Sequence, residues 1–397
     1  MSISGRRRIL LTQETITLVP AVSAKLLFLV TEDWYFCSHR LPVARAARDA
    51  GFAVSVATRV RDHGAQVRAE GFALIPLHWK RRGDGVLGGL RAIAEIAQVY
   101  RSERPDILYH VALKAVLFGG IAARLAFLGR TRPPMVAAVM GLGSSAASRL
   151  RRRVLGWALR AGAGGGMVVC QNAEDSAALA DFGFDPRRIA LIRGSGVDTA
   201  HFAPLPEPAG CTVALVGRML RSKGVLDAAA AVSLLRADGL AVDLILAGGA
   251  DSDSADSLSE AELSALGREP GITWLGHIGD VRAVWRDAAI ALLPSSYGEG
   301  VPKALLEAAS CGRPIIASDR PGCRDVVVHG QTGLLVPPGD VAALTAAIRT
   351  LAGDPALRHR MGAAGRARAL NEFAEERVAD QTLALLRSVL TGGDRRG

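Results

Sequence analysis

Short apolar runs alternate with stretches of helical periodicity along nearly the whole chain. In the first half the runs fall at 26–30, 53–57, 107–109, 135–139, 167–170 and 189–192, and each reads as a buried strand. The segments between them carry helical spacing. One, 41–50, stops at Gly51, where a helix C-terminus is expected. The alternation restarts with 212–216 and continues through 243–247, 273–275, 290–293, 314–318 and 333–336. Strand and helix in strict alternation predict parallel sheets covered by helices. Between the two series, residues 198–210 hold three prolines and no periodicity, which marks a linker. The expected architecture is α/β, with two Rossmann-like domains facing across a cleft. A basic extension spans 1–24, the first domain 25–204 and the second 205–375. A terminal helix at 376–397, part of a helical pattern over 374–390, is expected to pack back on the first domain. Residues 251–260, rich in Ser and Asp, read as a mobile surface loop.

Composition supports this picture and narrows the function. A chain of 397 residues exceeds one ordinary core, and an apolar fraction of 49% fills two. Cys37, Cys170, Cys211, Cys311 and Cys323 are scattered without paired spacing, so neither a disulfide framework nor a zinc site is expected. That usage suits a reducing cytoplasm. The net charge of +10 is uneven: residues 1–204 hold 28 Lys and Arg against 15 Asp and Glu, whereas 205–397 hold 20 against 23. The basic half should face an anionic partner, either a lipid surface or a phosphorylated acceptor. Nucleic acid is not expected, because the arginines are not interleaved with stacking aromatics. Residues 1–24 end in a small-residue sequence like a signal peptide's, but Gln13 and Glu14 interrupt the apolar stretch, so a poorly ordered basic extension is expected. Arg124 and Arg160 break the best apolar windows, and no membrane span is predicted.

Two motifs carry chemistry. After the run 212–216, Gly217 permits a close turn, and Arg218 and Lys223 flank a loop that feeds a helix starting near Gly224. A helix N-terminus with two cations suits a diphosphate, each charge-assisted hydrogen bond contributing roughly 1.5–3 kcal/mol. Some eighty residues on, Gly298-Glu299-Gly300-Val301-Pro302 precedes a helix expected to begin near Pro302, with Glu307 on its second turn. A glycosidase pair is disfavoured, since eight helical positions span about 12 Å, beyond the roughly 5–9.5 Å that hydrolytic carboxylates need. Separate roles fit better: Glu307 accepts ribose hydroxyls and Glu299 lies near a transferred hexose. The ligand these groups describe is a sugar nucleotide.

Gly217-Arg218, Lys223-Gly224, Glu299-Gly-Val-Pro302, Leu305-Leu-Glu307-Ala, 325–338 and Gly196-Val-Asp198 resemble the motifs of family 4 retaining glycosyltransferases, whose fold is GT-B. The resemblance covers nearly the whole chain. It implies that Gly217, Arg218, Lys223, Glu299, Gly300, Val301 and Glu307 bind a UDP-sugar, that Arg218, Lys223 and Glu299 act in catalysis, and that no metal is needed. In the first half, Phe36-Cys-Ser-His39-Arg40-Leu-Pro42, Pro105-Asp-Ile-Leu-Tyr-His110 with Lys114, and Gly141-Leu-Gly143 are similar to bacterial transferases that extend sugars on undecaprenyl diphosphate, of the N-acetylgalactosaminyl type. This implies a polyprenyl-diphosphate-linked acceptor contacted by His39, Arg40 and Lys114, in surface polysaccharide or glycan assembly at the inner face of the cell membrane.

The departures are informative. Glu32-Asp-Trp-Tyr35 stands where many relatives have a glycine-rich loop. The catalytic histidine of many relatives would fall at Val111, and His110 sits one position earlier. One position reverses the face of a strand, so His110 is a catalytic candidate only if the chain has left the sheet there; otherwise it packs at a strand end. His39 and Arg40 either reach an acceptor phosphate or cap a helix. Residues 149–160 place Leu150, Val154, Trp157 and Ala158 on one helical face with arginines outside it, which fits either an interfacial helix on anionic lipid or a core-facing helix. Lys80-Arg81-Arg82 adds a second basic cluster. A UDP-sugar 2-epimerase, a transferase with a soluble acceptor, and a non-catalytic lipid-surface or nucleic-acid-binding protein, which would explain the charge but not the Glu299 loop, are the alternative functions.

Overall fold

The computed structural model describes residues 24–79, 85–142 and 149–392, without the side chains of 149–151. The 1–24 extension (Ala24 apart), Lys80-Arg81-Arg82, Gly143 and the Leu150 side chain lie outside the described residues.

Two parallel sheets form from the two series of apolar runs. In the first domain the strands are β1 (Lys25–Glu32), β2 (Ala53–Arg59), β3 (Ala73–Pro76), β4 (Ile107–Val111), β5 (Met135–Ala138), β6 (Met167–Cys170) and β7 (Ile189–Leu191), in the order β3-β2-β1-β4-β5-β6-β7. In the second they are β8 (Cys211–Val216), β9 (Val242–Ala247), β10 (Ile272–Trp274), β11 (Ile290–Leu293), β12 (Ile315–Ser318) and β13 (Gly333–Val336), in the order β10-β9-β8-β11-β12-β13. Central strands such as β1, β4 and β11 are buried at nearly every position because helices cover both faces. This is the GT-B arrangement of two Rossmann-like domains.

Each strand order reverses once, between β1 and β4 and between β8 and β11. At such a switch point the outgoing connections diverge to opposite faces and leave a crevice beyond the carboxyl ends. The loops after these four strands therefore line the cleft. Strand β3 escapes the apolar-run pattern: it is a half-exposed edge strand ending in Pro76, a residue tolerated only where no ladder bond is required.

The chain crosses between domains twice at one place. Val197 donates its N–H to Phe373 O at 2.9 Å and accepts from Glu375 N–H at 3.0 Å. The helix Glu375–Thr391 then returns to the first domain, packs on the helix Leu41–Asp49, and puts Val378 and Leu386 into that domain's core. All five cysteines are free thiols. None of the described helices is long and apolar enough to cross a membrane.

Candidate functional site

Strand β8 ends at Val216, and the chain turns through Gly217 into a single 3-10 turn, Arg221–Lys223, before the helix Val225–Ala237. Gly224 joins the two in the left-handed region at φ 75°, and a Cβ there would lie 2.2 Å from Pro294 O. Only glycine lets this turn close against the strand β11 exit. The turn folds Lys223 back: its Nζ lies 3.7 Å from where a Cβ on Gly217 would stand.

That ammonium is clamped. Lys223 Nζ donates to both Glu299 oxygens, at 3.1 and 3.0 Å, in a pair whose side chains keep 11% and 12% exposure. Arg218 Nη1 donates to Asp251 Oδ2 at 2.7 Å, with its guanidinium partly open to the cleft. The turn at Arg218 and Lys223 and the Glu299 loop thus meet, as separate motifs on β8 and β11 predict. Asp251 is a partner that sequence reading missed. Its loop is also not the mobile segment expected: Arg221 N–H donates to Asp256 O at 2.8 Å, Ser257 Oγ accepts from Asp251 N–H at 2.8 Å, and Leu258 is fully buried.

Pro302 caps the helix Lys303–Ser310, so Glu299 sits on the loop ahead of it and Glu307 on its second turn. The half-buried Glu307 carboxylate has no hydrogen-bond partner among the described residues. Burial raises its pKa from 4.5 to about 7, with Lys303 opposing. A carboxylate this desolvated and unpaired is an acceptor awaiting donors. At Gly300 and Val301 the two domains touch: Val301 N–H donates to Gln171 Oε1 at 3.0 Å, and a Cβ on Gly300 would stand 2.2 Å from that oxygen. Gln171 follows β6 and was not singled out from sequence.

The first domain contributes the opposite wall. Glu32 ends β1 and Asp33 opens the helix that follows, and their carboxylates have structural tasks. Glu32 lies 3.4 Å from both Arg59 and Arg61, and Asp33 accepts from the N–H groups of Trp34, Arg61 and His63 at 2.8–2.9 Å. This anchors the short helix Asp33–His39. His39 stacks on Tyr35 at 4.2 Å, and its Nδ1 lies 2.5 Å from Ser38 Oγ. Burial, then the nearby charges of Lys303, Arg40 and Lys223, push its pKa down to about 3. His39 is therefore neutral at physiological pH. Arg40 is 3% exposed; its Nη2 lies 3.4 Å from Met140 Sδ and its Nε has no protein partner. Lys303 Nζ donates to Ser38 O at 2.5 Å and ties the walls together. Lys114 stands apart from this cluster in its contacts, its Nζ 5.4 and 5.3 Å from the ring centroids of Trp79 and Phe118.

His110 requires a correction. The chain has not left the sheet there: His110 lies within β4, fully buried, with Nε2 2.8 Å from Tyr100 Oη and Nδ1 without a partner. Burial lowers its pKa to about 3. Gly119 packs so closely on this ring that a Cβ there would fall 2.6 Å from His110 Cε1. A ring sealed between sheet and helix reaches no substrate. Among the described residues no three His, Cys, Asp or Glu side chains are grouped to hold a metal ion.

Comparison with known proteins agrees with this geometry. Residues 210–354 match the family described as glycosyl transferases group 1, and 25–161 match the glycosyl transferase 4-like family. The chain is 30% identical to a glycogen synthase of Mycobacterium tuberculosis over 303 residues, 71% of this chain and 68% of that protein. It is 34% identical over 229 residues to an alpha-maltose-1-phosphate synthase of the same species, covering 52% of this chain but only 58% of the relative's length. A Campylobacter jejuni N,N'-diacetylbacillosaminyl-diphospho-undecaprenol alpha-1,3-N-acetylgalactosaminyltransferase is 24% identical, covering 88% of this chain and 95% of that one. Among solved structures, Anabaena HepE in complex with UDP and glucose superposes with a TM-score of 0.76 at 21% identity, covering 92% of this chain and all of that one.

Proposed function

This chain belongs to the group 1, family 4 glycosyltransferases, and from that membership we propose that it moves a sugar, with retention, from a UDP-sugar to a sugar on a polyprenyl diphosphate. The observation that carries this reading is the Lys223 ammonium held between Gly217 and Glu299 at the carboxyl end of β8, with Arg218 beside it. There the two cations take the diphosphate, Glu307 accepts the ribose hydroxyls, Glu299 contacts the hexose, and the backbone at Gly217, Gly300 and Val301 shapes the pocket. The bond from the anomeric carbon to the diphosphate oxygen breaks and its electron pair stays on the diphosphate. Arg218 and Lys223 stabilise that charge without a metal ion. The acceptor hydroxyl forms the new carbon–oxygen bond from the same face, and its proton passes to the departing phosphate. His39 and Arg40, with Lys114 further out, serve the acceptor side. The unpaired Arg40 Nε, in a wall that the second domain's Lys303 also reaches, favours an anionic acceptor.

The long 24% match to the undecaprenol-linked transferase supports a lipid-linked acceptor, and such an acceptor requires a position at the membrane surface. The glycogen synthase and alpha-maltose-1-phosphate synthase relatives support a second reading, a water-soluble acceptor. Incubating the protein with radiolabelled UDP-sugars and a membrane lipid extract separates the two. Label in the organic phase supports the lipid acceptor. Label transferred only to water-soluble saccharides rejects it, and label remaining on an epimerised nucleotide sugar rejects transfer altogether.

A further inference from the structure

The helices Gly85–Glu103, Leu113–Ala126 and Arg149–Ala163 lie side by side along one face of the first sheet. A helix in this position ordinarily turns polar residues outward. These also expose large apolar side chains among their polar ones. On the middle helix Ala115, Val116, Ala122 and Ala123 face the core, while Leu113, Ile121 and Leu125 point out at helical spacing, followed by Leu128 at 84% exposure. The tip of the first helix exposes Val86, Leu90 and Leu87, the last at 72%. On the third, Gly156, Leu159, Gly162 and Ala163 pack inward, and Val154 and Trp157 are exposed, the indole at 68%. The apolar stripe of 149–160 is thus not core-facing. Nine of the fifteen exposed large apolar side chains among the described residues belong to this one face. Scattered exposed apolar residues are ordinary, but such concentration marks a docking surface.

Charge identifies the occupant. Residues 85–163 hold twelve Lys and Arg against three Asp and Glu. Arg124, Arg130, Arg132, Arg153 and Arg160 are exposed around the apolar stripe. A two-fold contact between two copies would set this positive face against itself, which like-charge repulsion opposes. A nucleic acid would leave the Leu and Trp side chains without a partner. An anionic bilayer satisfies both features, since acyl chains take the apolar side chains and headgroups take the arginines. We infer that the three-helix face docks flat on an anionic lipid surface. Leu113 and Lys114 open the middle helix directly after β4, so the docked face meets the cleft at its edge and holds the acceptor wall at headgroup level. The inference deepens the membrane placement proposed above, and its test is independent of the donor site.

The probe is co-sedimentation with phosphatidylglycerol–phosphatidylcholine vesicles and with pure phosphatidylcholine vesicles, with neither sugar nucleotide nor acceptor present. The full chain should bind the anionic vesicles and bind the neutral ones far less. Trp157→Ser, and Leu87→Ser with Leu90→Ser, should each weaken anionic-vesicle binding about tenfold while the melting temperature holds, because these side chains are already in solvent. Arg153→Glu should reduce binding to the anionic vesicles alone. Leu234→Ser, at an exposed leucine of the second domain, should change nothing. Wild-type protein that stays in the supernatant at low salt overturns the inference, as do serine variants that bind like wild type. A lipid-free dimer dissolved by Trp157→Ser also overturns it, making the face a self-contact. Loss of vesicle binding leaves UDP binding untouched, and failure to bind UDP leaves the vesicle result standing.

Discussion

Replacing Glu307 with glutamine should stabilise the protein and weaken its hold on donor, both through one desolvated carboxyl. In the fold this group titrates near 7 against an ordinary 4.5, because burial disfavours its charged form more than Lys303 favours it. Below pH 4.5 the carboxyl is protonated folded or unfolded, and it adds nothing to the pH dependence. As pH rises from 4.5 to 7 the unfolded chain gives up the proton first, so stability falls across this window and levels off above it. The gap between 4.5 and about 7 corresponds to about 3 kcal/mol at full ionisation. Glutamine cannot ionise, so Glu307→Gln should melt at about the wild-type temperature at pH 4.5 and about 6–12 °C higher at pH 8.5, for a domain of this size. Donor affinity should move the other way. UDP binding should fall about 10- to 100-fold with loss of a charged acceptor. Wild-type affinity should decline about tenfold per unit below pH 7 as the carboxyl protonates, and the variant should lack that slope. Differential scanning calorimetry and isothermal titration across pH 4.5–8.5 read both effects. A variant no more stable than wild type at pH 8.5 would refute the claim that this carboxylate is buried without a partner.

Lys223→Met leaves the Glu299 carboxylate without its cation and should cost about 3 kcal/mol in the apo protein by chemical denaturation. Adding Glu299→Gln should restore part of that stability but not the UDP affinity, and a double variant that binds like wild type would remove Lys223 from the diphosphate site. His110→Asn should lower the melting temperature by unpairing Tyr100, while turnover per folded molecule stays within about threefold; a far larger loss would return His110 to the chemistry. Gly196→Ala puts a Cβ 2.5 Å from Glu375 Cα at φ 78°. It should cost about 1–3 kcal/mol by denaturation, and an unchanged midpoint would mean the interdomain crossing is looser than drawn.

What the sequence revealed and what it concealed follow from the range of the interactions. Strands covered on both faces announce themselves as uninterrupted apolar runs, so twelve of the thirteen were legible, and the half-exposed edge at Ala73–Pro76 was not. The pairing of the Lys223 turn with the Glu299 loop was foreseeable because both follow central strands flanking one switch point. Asp251, Gln171 and Lys303 were not, since each acts across a gap that no local pattern encodes: their partners lie at Arg218, Val301 and Ser38. His110 was misjudged by a single position. Its fate depended on whether β4 ended at Tyr109 or Val111, and strand ends are where sequence patterns are weakest.

In the proposed donor site both cations are paired before any ligand arrives, which bears on how it would select one. Lys223 and Glu299 face each other with little solvent, so separating them incurs a desolvation cost that an uncharged sugar cannot offset. Arg218 is more open, and its pair with Asp251 is the weaker of the two, worth about 0.2–1 kcal/mol at such exposure. On the proposed reading, a diphosphate, with two charges and several oxygens, replaces Asp251 at Arg218 while Lys223 remains beside Glu299 and holds that carboxylate toward the hexose. Arg218 is then the exchangeable clamp and Lys223 the fixed one. On that reading a nucleoside diphosphate is selected over a free sugar because only the former brings negative charge to Arg218 in exchange for Asp251.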